Sequence, residues 1–479
     1  MYHRKRTLTA SLTSVLVMAS LASGDDCQPA WIPTFVGGNS VSGTVISQAV
    51  FNDGAGDALF VGGTFITAGG QTVNRIARWN GASWSPLGSG LGNNAVLAMA
   101  TFDDGSGEAL YVGGSFATAG GQTVNGIAKW NGTSWSPLGS GVSNGFVFAL
   151  TVFDDGNGPA LYAAGSFTQA GGNAASRIAR WNGSAWTPLD AGVNDSVSAL
   201  TVFDDGTGPA LYAGGSFTQA GGNTANRIAR WDGSAWTTVG SGVTGGATSP
   251  SVQDFAIYNS GAGDALYVGG IFASAGGVSG TSRIARWDGS AWSSVGSGIT
   301  DSGFNQGVRT LTVYDDGSGA GLYAGGDFFG AGGVSTSLIA RWNGSAWSPL
   351  GAGMLNIDFA PVVRTIGVYD SGSGAGPALF AGGASVGAPG GGNYLGRWQG
   401  CPVTAEPCPA DLTGPELDGT PDGSVNAFDL NYYIGLWLAD DPAADLTGPA
   451  LDGVPNGIVD AFDLNYYLNL WLNTQGPCP

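Results

Sequence analysis

Arg227-Ile228-Ala229-Arg230-Trp231-Asp232-Gly233-Ser234-Ala235-Trp236 is the stretch whose reading decides the fold. It places a basic residue before a Trp, then a tight turn, then a second Trp. The pattern occurs as Arg78-Trp79 with Trp84, Lys129-Trp130 with Trp135, Arg180-Trp181 with Trp186 and Arg230-Trp231 with Trp236. It continues as Arg286-Trp287 with Trp292, Arg341-Trp342 with Trp347 and finally Arg397-Trp398, which lacks its second Trp. Seven copies follow one another 50 to 56 residues apart, the signature of a repeat architecture.

Each copy holds four strand-like runs. In the fourth these are Val197 to Phe203, Ala210 to Ala213, Arg227 to Trp231 and Ala235 to Val239. Asp204-Asp205-Gly206-Thr207-Gly208 joins the first two, and Asp232-Gly233 joins the last two, which reads as a type I′ hairpin. Four antiparallel strands per fifty residues, repeated seven times, predict an all-β, seven-bladed β-propeller. The seventh copy stops at Trp398-Gln399-Gly400-Cys401, where its fourth strand is due. Cys27-Gln28-Pro29-Ala30-Trp31 reads as that missing strand, so the N-terminus is expected to complete the last blade. Cys27 and Cys401 would then meet, and a disulfide there would close a loop of several hundred residues, worth about 4–5 kcal/mol on the chain-entropy account.

Composition agrees. Gly is very abundant, at 86 of 479 residues, and only 11% of residues are charged, which suits turn-rich β structure better than helix. With 43% hydrophobic residues and 16 Trp, the chain reads as neither disordered nor collagen-like. Residues 1–24 read as an export signal: His3 to Arg6 are basic, Leu8 to Leu21 apolar, and Ala22-Ser23-Gly24 small. Asp25-Asp26 before Cys27 argue against a lipid anchor, and no later run is long enough to span a membrane. Cleavage would remove three of the sixteen basic residues and deepen the net charge beyond −19, disfavouring nucleic acid and anionic membranes as partners. It would also remove His3, the only histidine, and with it every imidazole-dependent mechanism.

The repeat resembles kelch-type propellers over roughly residues 27–401. Gly62-Gly63, Gly113-Gly114, Gly214-Gly215, Gly269-Gly270, Gly325-Gly326 and Gly382-Gly383 match the kelch Gly-Gly, with the paired Trp downstream. The third copy departs, with Ala164-Gly165. The "Gly-Gly-x-Phe … Ala-Gly-Gly … Arg-Ile-Ala-Arg-Trp" wording also looks like repeats of a fungal cortical cell-polarity marker and of bacterial surface proteins. The resemblance implies a fold; it implies no particular activity.

The repeated Trp and Arg are expected to form blade core, with each Arg stacking or pairing where blades meet. The acidic turns at Asp103-Asp104, Asp154-Asp155, Asp204-Asp205 and Asp315-Asp316 are expected to be solvated hairpins rather than calcium sites. The Asn-Gly-Ser/Thr triplets read as turns rather than glycosylation sites. More telling are the differences between copies. Long insertions at Thr244 to Pro250, Thr300 to Gly307 and Leu355 to Pro361 all connect one blade to the next, and so share one face. One inner-strand position varies around the ring as Ile46, Leu97, Phe148, Ser198, Gln253, Arg309 and Arg364. With Asp254, and with Phe304, Asp358 and Phe359 in the insertions, the polar end of this series is the candidate ligand site. Two Arg beside aromatics suit an anionic sugar or a peptide carboxylate.

After residues 402–410, a linker, the chain changes character. Asp411-Leu-Thr-Gly-Pro recurs at Asp445, and Ala427-Phe-Asp-Leu-Asn-Tyr-Tyr recurs at Ala461, a period of 34 residues. Each half ends in an amphipathic pattern, Phe428 to Leu438 and Phe462 to Leu472. Asp418, Thr420, Asp422, Ser424, Asn426 and Asp429 fall at the ligand positions of a twelve-residue calcium loop, Ser424 through its carbonyl. The second loop offers Asp452, Asn456, Ile458 (carbonyl), Asp460 and Asp463, but has Val454 where a ligand is due. An alternative register starts at Asp411 with Thr413, or at Asp445 with Thr447. Residues 411–479 resemble a type I dockerin, a Ca2+-binding module that docks onto a cohesin domain of another extracellular protein. The resemblance assigns partner choice to Ala427, Phe428, Ala461 and Phe462. Cys408 and Cys478 bracket the module. Of the three pairings open to four cysteines, Cys27–Cys401 with Cys408–Cys478 is the one expected.

The expected function is therefore a secreted, non-catalytic binding protein. Its propeller would take a polysaccharide or protein ligand, and its dockerin-like module would tether it to an extracellular assembly. A carboxylate-based glycoside hydrolase, with Asp254, Asp301 and Asp358 as candidates, is the alternative. A structural cell-surface protein is a third.

Overall fold

The computed structural model describes residues 29–401 except 247–248, 300–305, 358–359 and 390–391, together with 424–425, Tyr433 and 476–477. The chain divides into two compact units, Pro29–Val403 and a second made of Met1–Gln28 with Thr404–Pro479.

In the first unit the described residues form seven large antiparallel sheets with one recurring order, beside smaller two- and three-stranded ones. The fourth is representative: its strands are Val197–Asp204, Pro209–Gly215, Ile228–Trp231 and Trp236–Thr238, paired in that sequence. The second strand is apolar almost throughout and buried on both faces, whereas the short fourth strand buries only its Trp. The seventh sheet follows the same plan with Val362–Tyr369, Ala378–Gly387 and Asn393–Gln399, and its outermost strand is Ala30–Ile32. Trp31 pairs with Trp398, as Trp236 pairs with Trp231 in the fourth. The N-terminal segment thus does supply the missing strand.

The hydrophobic core lies between sheets. Its described residues fall into seven clusters, each built from two neighbouring sheets. The circuit closes, because Phe35, Tyr369 and Phe380 share one cluster with Val45, Trp79 and Trp84 of the first sheet. The second Trp of each copy fastens this packing. Trp135 Nε1 donates to the Leu87 carbonyl (2.9 Å), Trp186 Nε1 to Leu138 (2.9 Å) and Trp347 Nε1 to Val295 (3.0 Å), each on the preceding sheet's exit. Trp31 Nε1 makes the same bond to Leu350 (3.0 Å).

Three expectations are corrected. The Asn-Gly and Asp-Gly turns are not two-residue type I′ turns. Trp79 opposes Trp84, leaving a four-residue loop in which Asn80 Oδ1 accepts the amides of Ala82 (3.0 Å) and Ser83 (2.8 Å). The two-residue turn lies elsewhere, at Gly69-Gly70 between Ala68 and Gln71, where both glycines have positive φ.

The repeated basic residue does not pair across sheets. It meets the acidic turn of its own sheet: Arg78 Nε with Asp53 (2.7 Å), Lys129 with Asp104 (2.7 Å), Arg180 with Asp155 (3.2 Å), Arg230 with Asp205 (3.0 Å). The second Asp of each acidic turn is therefore not solvated; Asp104's side chain is only 11% exposed. The Tyr111 hydroxyl also donates to Asp104 (2.7 Å), as Tyr162 does to Asp155 (2.9 Å). The first Asp closes the turn instead, Asp103 Oδ1 accepting from Gly105 (2.8 Å) and Gly107 (2.9 Å).

These pairs set the acid response. Burial alone would raise the Asp104 carboxyl, but hydrogen bonds from Lys129, Ser106 and Tyr111 outweigh it and hold it well below the usual carboxylate range. Asp155 and Asp205 are lowered likewise, and Asp288 is lowered to about 2 by the backbone amides of Ala291 and Ser290. A carboxyl depressed on folding stabilises the fold fully above its unfolded pKa of about 4 and loses that contribution as pH falls through the folded value. Stability should be flat from neutral pH to about 4 as far as these groups are concerned, then fall steeply toward pH 2 and below. Denaturant titrations of wild type and Asp104→Asn should show the smaller acid slope in the variant.

Candidate functional site

Every inner strand is irregular at one place. Pairing with the second strand skips between Val45 and Ser47, Val96 and Ala98, Val147 and Ala149, and Val197 and Ala199. It skips again between Val252 and Asp254, Val308 and Thr310, and Val363 and Thr365. The residue passed over is Ile46, Leu97, Phe148, Ser198, Gln253, Arg309 and Arg364 in turn, the variable series of the repeat. A β-bulge re-aims the side chain of its extra residue. Here all seven line one cavity of about 480 Å3, together with the residues that follow them.

The cavity has two unlike sides. Ile46, Leu97, Met99, Phe148, Leu150 and Leu200 are apolar, and the Phe148 ring lies 6.4 Å from that of Phe146. Opposite in the ring order are Gln253, Asp254, Arg309, Thr310, Arg364 and Thr365. Arg309 and Arg364 are not equivalent. Arg309 Nη2 pairs with Asp327 (2.9 Å), whose other oxygen accepts the Gly307 amide (2.7 Å), and Nη1 reaches Gln253 Oε1 (3.5 Å). Asp327 directly follows the Gly-Gly pair of the sixth copy, where the second and third copies carry Ser115 and Ser166. That local departure is the one signal in the chain that marks it. Arg364 is exposed at the mouth and makes no hydrogen bond or ion pair with the described residues. Desolvation by the channel walls around it and the neighbouring Arg309 charge both lower its pKa.

Asp254 is half-buried on the cavity wall. Its carboxyl accepts the Phe255 amide (2.8 Å) at one oxygen and the Leu311 amide (2.7 Å) of the next sheet at the other. Burial raises its pKa to about 6 against the pull of those bonds. Both oxygens are thus engaged, one of them by an amide of the next sheet. Thr310 does the same one sheet on, accepting the Ile366 amide (3.2 Å), and Gln48 closes the circuit by donating to Phe380 O (3.1 Å). Ser47 Oγ is 7% exposed as a residue, lines the cavity and has no hydrogen-bond partner.

The structure thus gathers Gln253, Asp254, Arg309 and Arg364. Asp301, Phe304, Asp358 and Phe359 lie outside the described residues, as do the export signal, Cys27, Cys408, Cys478 and nearly all of the 411–479 module, including its calcium-loop side chains and Ala427, Phe428, Ala461 and Phe462. Within that unit Ser424–Val425 pairs with Gly476–Pro477, and Tyr433 is buried. Among the described residues no group of three or more His, Cys, Asp or Glu is placed to hold a metal, and no helix is long and apolar enough to cross a membrane.

No family model matches the chain, and no curated protein matches it. Among solved structures it is similar to two of the extracellular domain of BT4673 from B. thetaiotaomicron, described as a putative one component and a putative hybrid two component system. Identity is 11% to both, TM-scores are 0.44 and 0.45, and 77% of this chain is covered. The chain spans about two fifths of their length, 39% and 40%. It is also similar to BBS1N, solved in complex with ARL6DN, at 11% identity and a TM-score of 0.41 over 79% of this chain and 99% of that one.

Proposed function

We propose that the protein is a secreted, non-catalytic binding protein whose first unit is a seven-bladed β-propeller with its ligand site in the channel mouth. The observation that carries this is the set of seven bulges. Each brings to one cavity the inner-strand residue that varies most between copies, whereas the Val before it is the same in all seven. A position that merely drifted would have no reason to coincide with the bulge of every inner strand.

The 411–479 module is read as dockerin-like and calcium-binding, tethering the protein to a cohesin-type partner. The oxygen ligands at Asp418, Asp422, Asn426 and Asp429 support this. Cys401 is disulfide-bonded, and we take Cys27 as its partner. Ala30 opposes Gln399, two residues before Cys401. The Cys401 amide donates to Asp316 O (2.8 Å), and Cys401 packs against Gly317, as Gly132 of the second sheet packs against Asp53 of the first.

Glycan and protein arrays probed with the full chain test both halves. A channel ligand should be lost on Leu97→Asn, which places an amide in the apolar side. A cohesin-type ligand should bind with calcium, be released by a chelator, and survive Leu97→Asn. Hydrolysis of an arrayed polysaccharide would sink the non-catalytic reading.

A further inference from the structure

We propose that the channel mouth seats one carboxylate carried on an apolar body, with the carboxylate on Arg364 and the body against Leu97, Met99 and Phe148. This rests on the channel being a ligand site, as proposed above. It follows from counting which charges are already committed. Arg309 is neutralised by Asp327, and the Asp254 carboxyl is committed to two backbone amides. Arg364 is left with no partner among the described residues. One unspent guanidinium matches one carboxylate. It does not match the second charge of a phosphate or the charge run of a polyanion.

The apolar side decides the rest of the ligand. It runs across three adjacent sheets through Ile46, Leu97, Met99, Phe148 and Leu150, with one aromatic among aliphatics. A sugar seated there would bury hydroxyls against groups that cannot hydrogen-bond. An aliphatic or aromatic body has no such cost. The nearby Arg309 charge and partial burial disfavour the charged Arg364, and a bound anion would relieve both. The same chemistry is carried by a free aromatic or branched carboxylic acid and by the C-terminal residue of a peptide ending in an apolar side chain.

Calorimetric titration of the full chain tests this. The probes are phenylpropionate, its amide, glucuronate, and a short peptide ending in Phe with either a free or an amidated C-terminus. Phenylpropionate should saturate one site, with the amide and glucuronate roughly tenfold or more weaker. Arg364→Gln should bring the acid down to the amide's affinity, a loss of roughly tenfold to a hundredfold, with a thermal midpoint no lower than that of the wild type because the side chain is unpaired and its charge is disfavoured. Leu97→Asn should weaken acid and amide alike. Tighter binding of the free-ended peptide than of phenylpropionate would identify a chain end as the source; weaker binding would identify a free acid. Glucuronate binding as tightly as phenylpropionate, or an acid affinity unchanged in Arg364→Gln, would overturn the proposal. If no probe binds while an arrayed ligand is still lost on Leu97→Asn, the carboxylate assignment fails and the channel reading stands. If neither is seen, both fail.

Discussion

Trp31→Ala should destabilise the first unit by about 3–5 kcal/mol, as much as Trp236→Ala in the middle of the chain. Terminal strands usually fray, and their loss costs little. Here the terminal strand is the outer strand of the seventh sheet. Trp31 packs edge-on to Trp398 with ring centroids 5.4 Å apart, and its indole N–H is bonded to Leu350 of the sixth sheet. Trp236 makes the same set of contacts with Trp231 and Leu189. Equal roles in a closed circuit imply equal costs, whereas an open array would lose far less at its end. Denaturant midpoints at constant slope measure both. A loss below about 1 kcal/mol for Trp31→Ala, with Trp236→Ala severe, would mean that the circuit does not depend on this closure.

Gly165→Ala should cost about 4 kcal/mol or more, while Gly113→Ala should cost about 1–3 kcal/mol. The two glycines occupy the two positions of the same Gly-Gly motif. A Cβ on Gly165 would sit 1.9 Å from the Phe146 carbonyl oxygen, a backbone atom of the paired inner strand. The second glycines of the other copies meet backbone oxygens at 2.0 to 2.2 Å, for example Gly63 against Thr44 and Gly114 against Ala95. A Cβ on Gly113 would instead meet the Val147 side chain at 2.5 Å, which can repack in part. This accounts for the departure of the third copy from the Gly-Gly of the other six. Ala164 replaces the first glycine, facing side chains, and Gly165 keeps the second, facing backbone. Equal losses from the two substitutions would refute the argument.

Much of the ring was legible along the chain. The Trp pairs count the sheets, and the short seventh copy with Trp31 at the other end announces the closure. Both signals are carried by residue type and spacing, which the chain displays directly. The variable series from Ile46 to Arg364 was also visible as variation between copies. Its meaning was not. A bulge exists only relative to the strand it pairs with, so the direction of those seven side chains emerged from the register of each sheet. The same holds for charge. Two adjacent arginines read as a pair of free cations, until folding brought Asp327 to Arg309 and left Arg364 alone.

The turns divide in the same way. Asn-Gly and Gly-Gly both advertise reversal, but which becomes the two-residue turn depends on what pairs across it. Trp79 against Trp84 leaves four residues to span, and Ala68 against Gln71 leaves two. The acidic turns looked solvated because their carboxylates stand beside glycines in the chain. Only the third strand, about 25 residues later, brings the Arg or Lys that buries them. Sequence by itself determined the repeat, its number and its closing strand, because those rest on composition and period. Tertiary structure alone decided which side chains face the channel and which charges remain unspent, because both depend on partners that are neighbours only across the sheet.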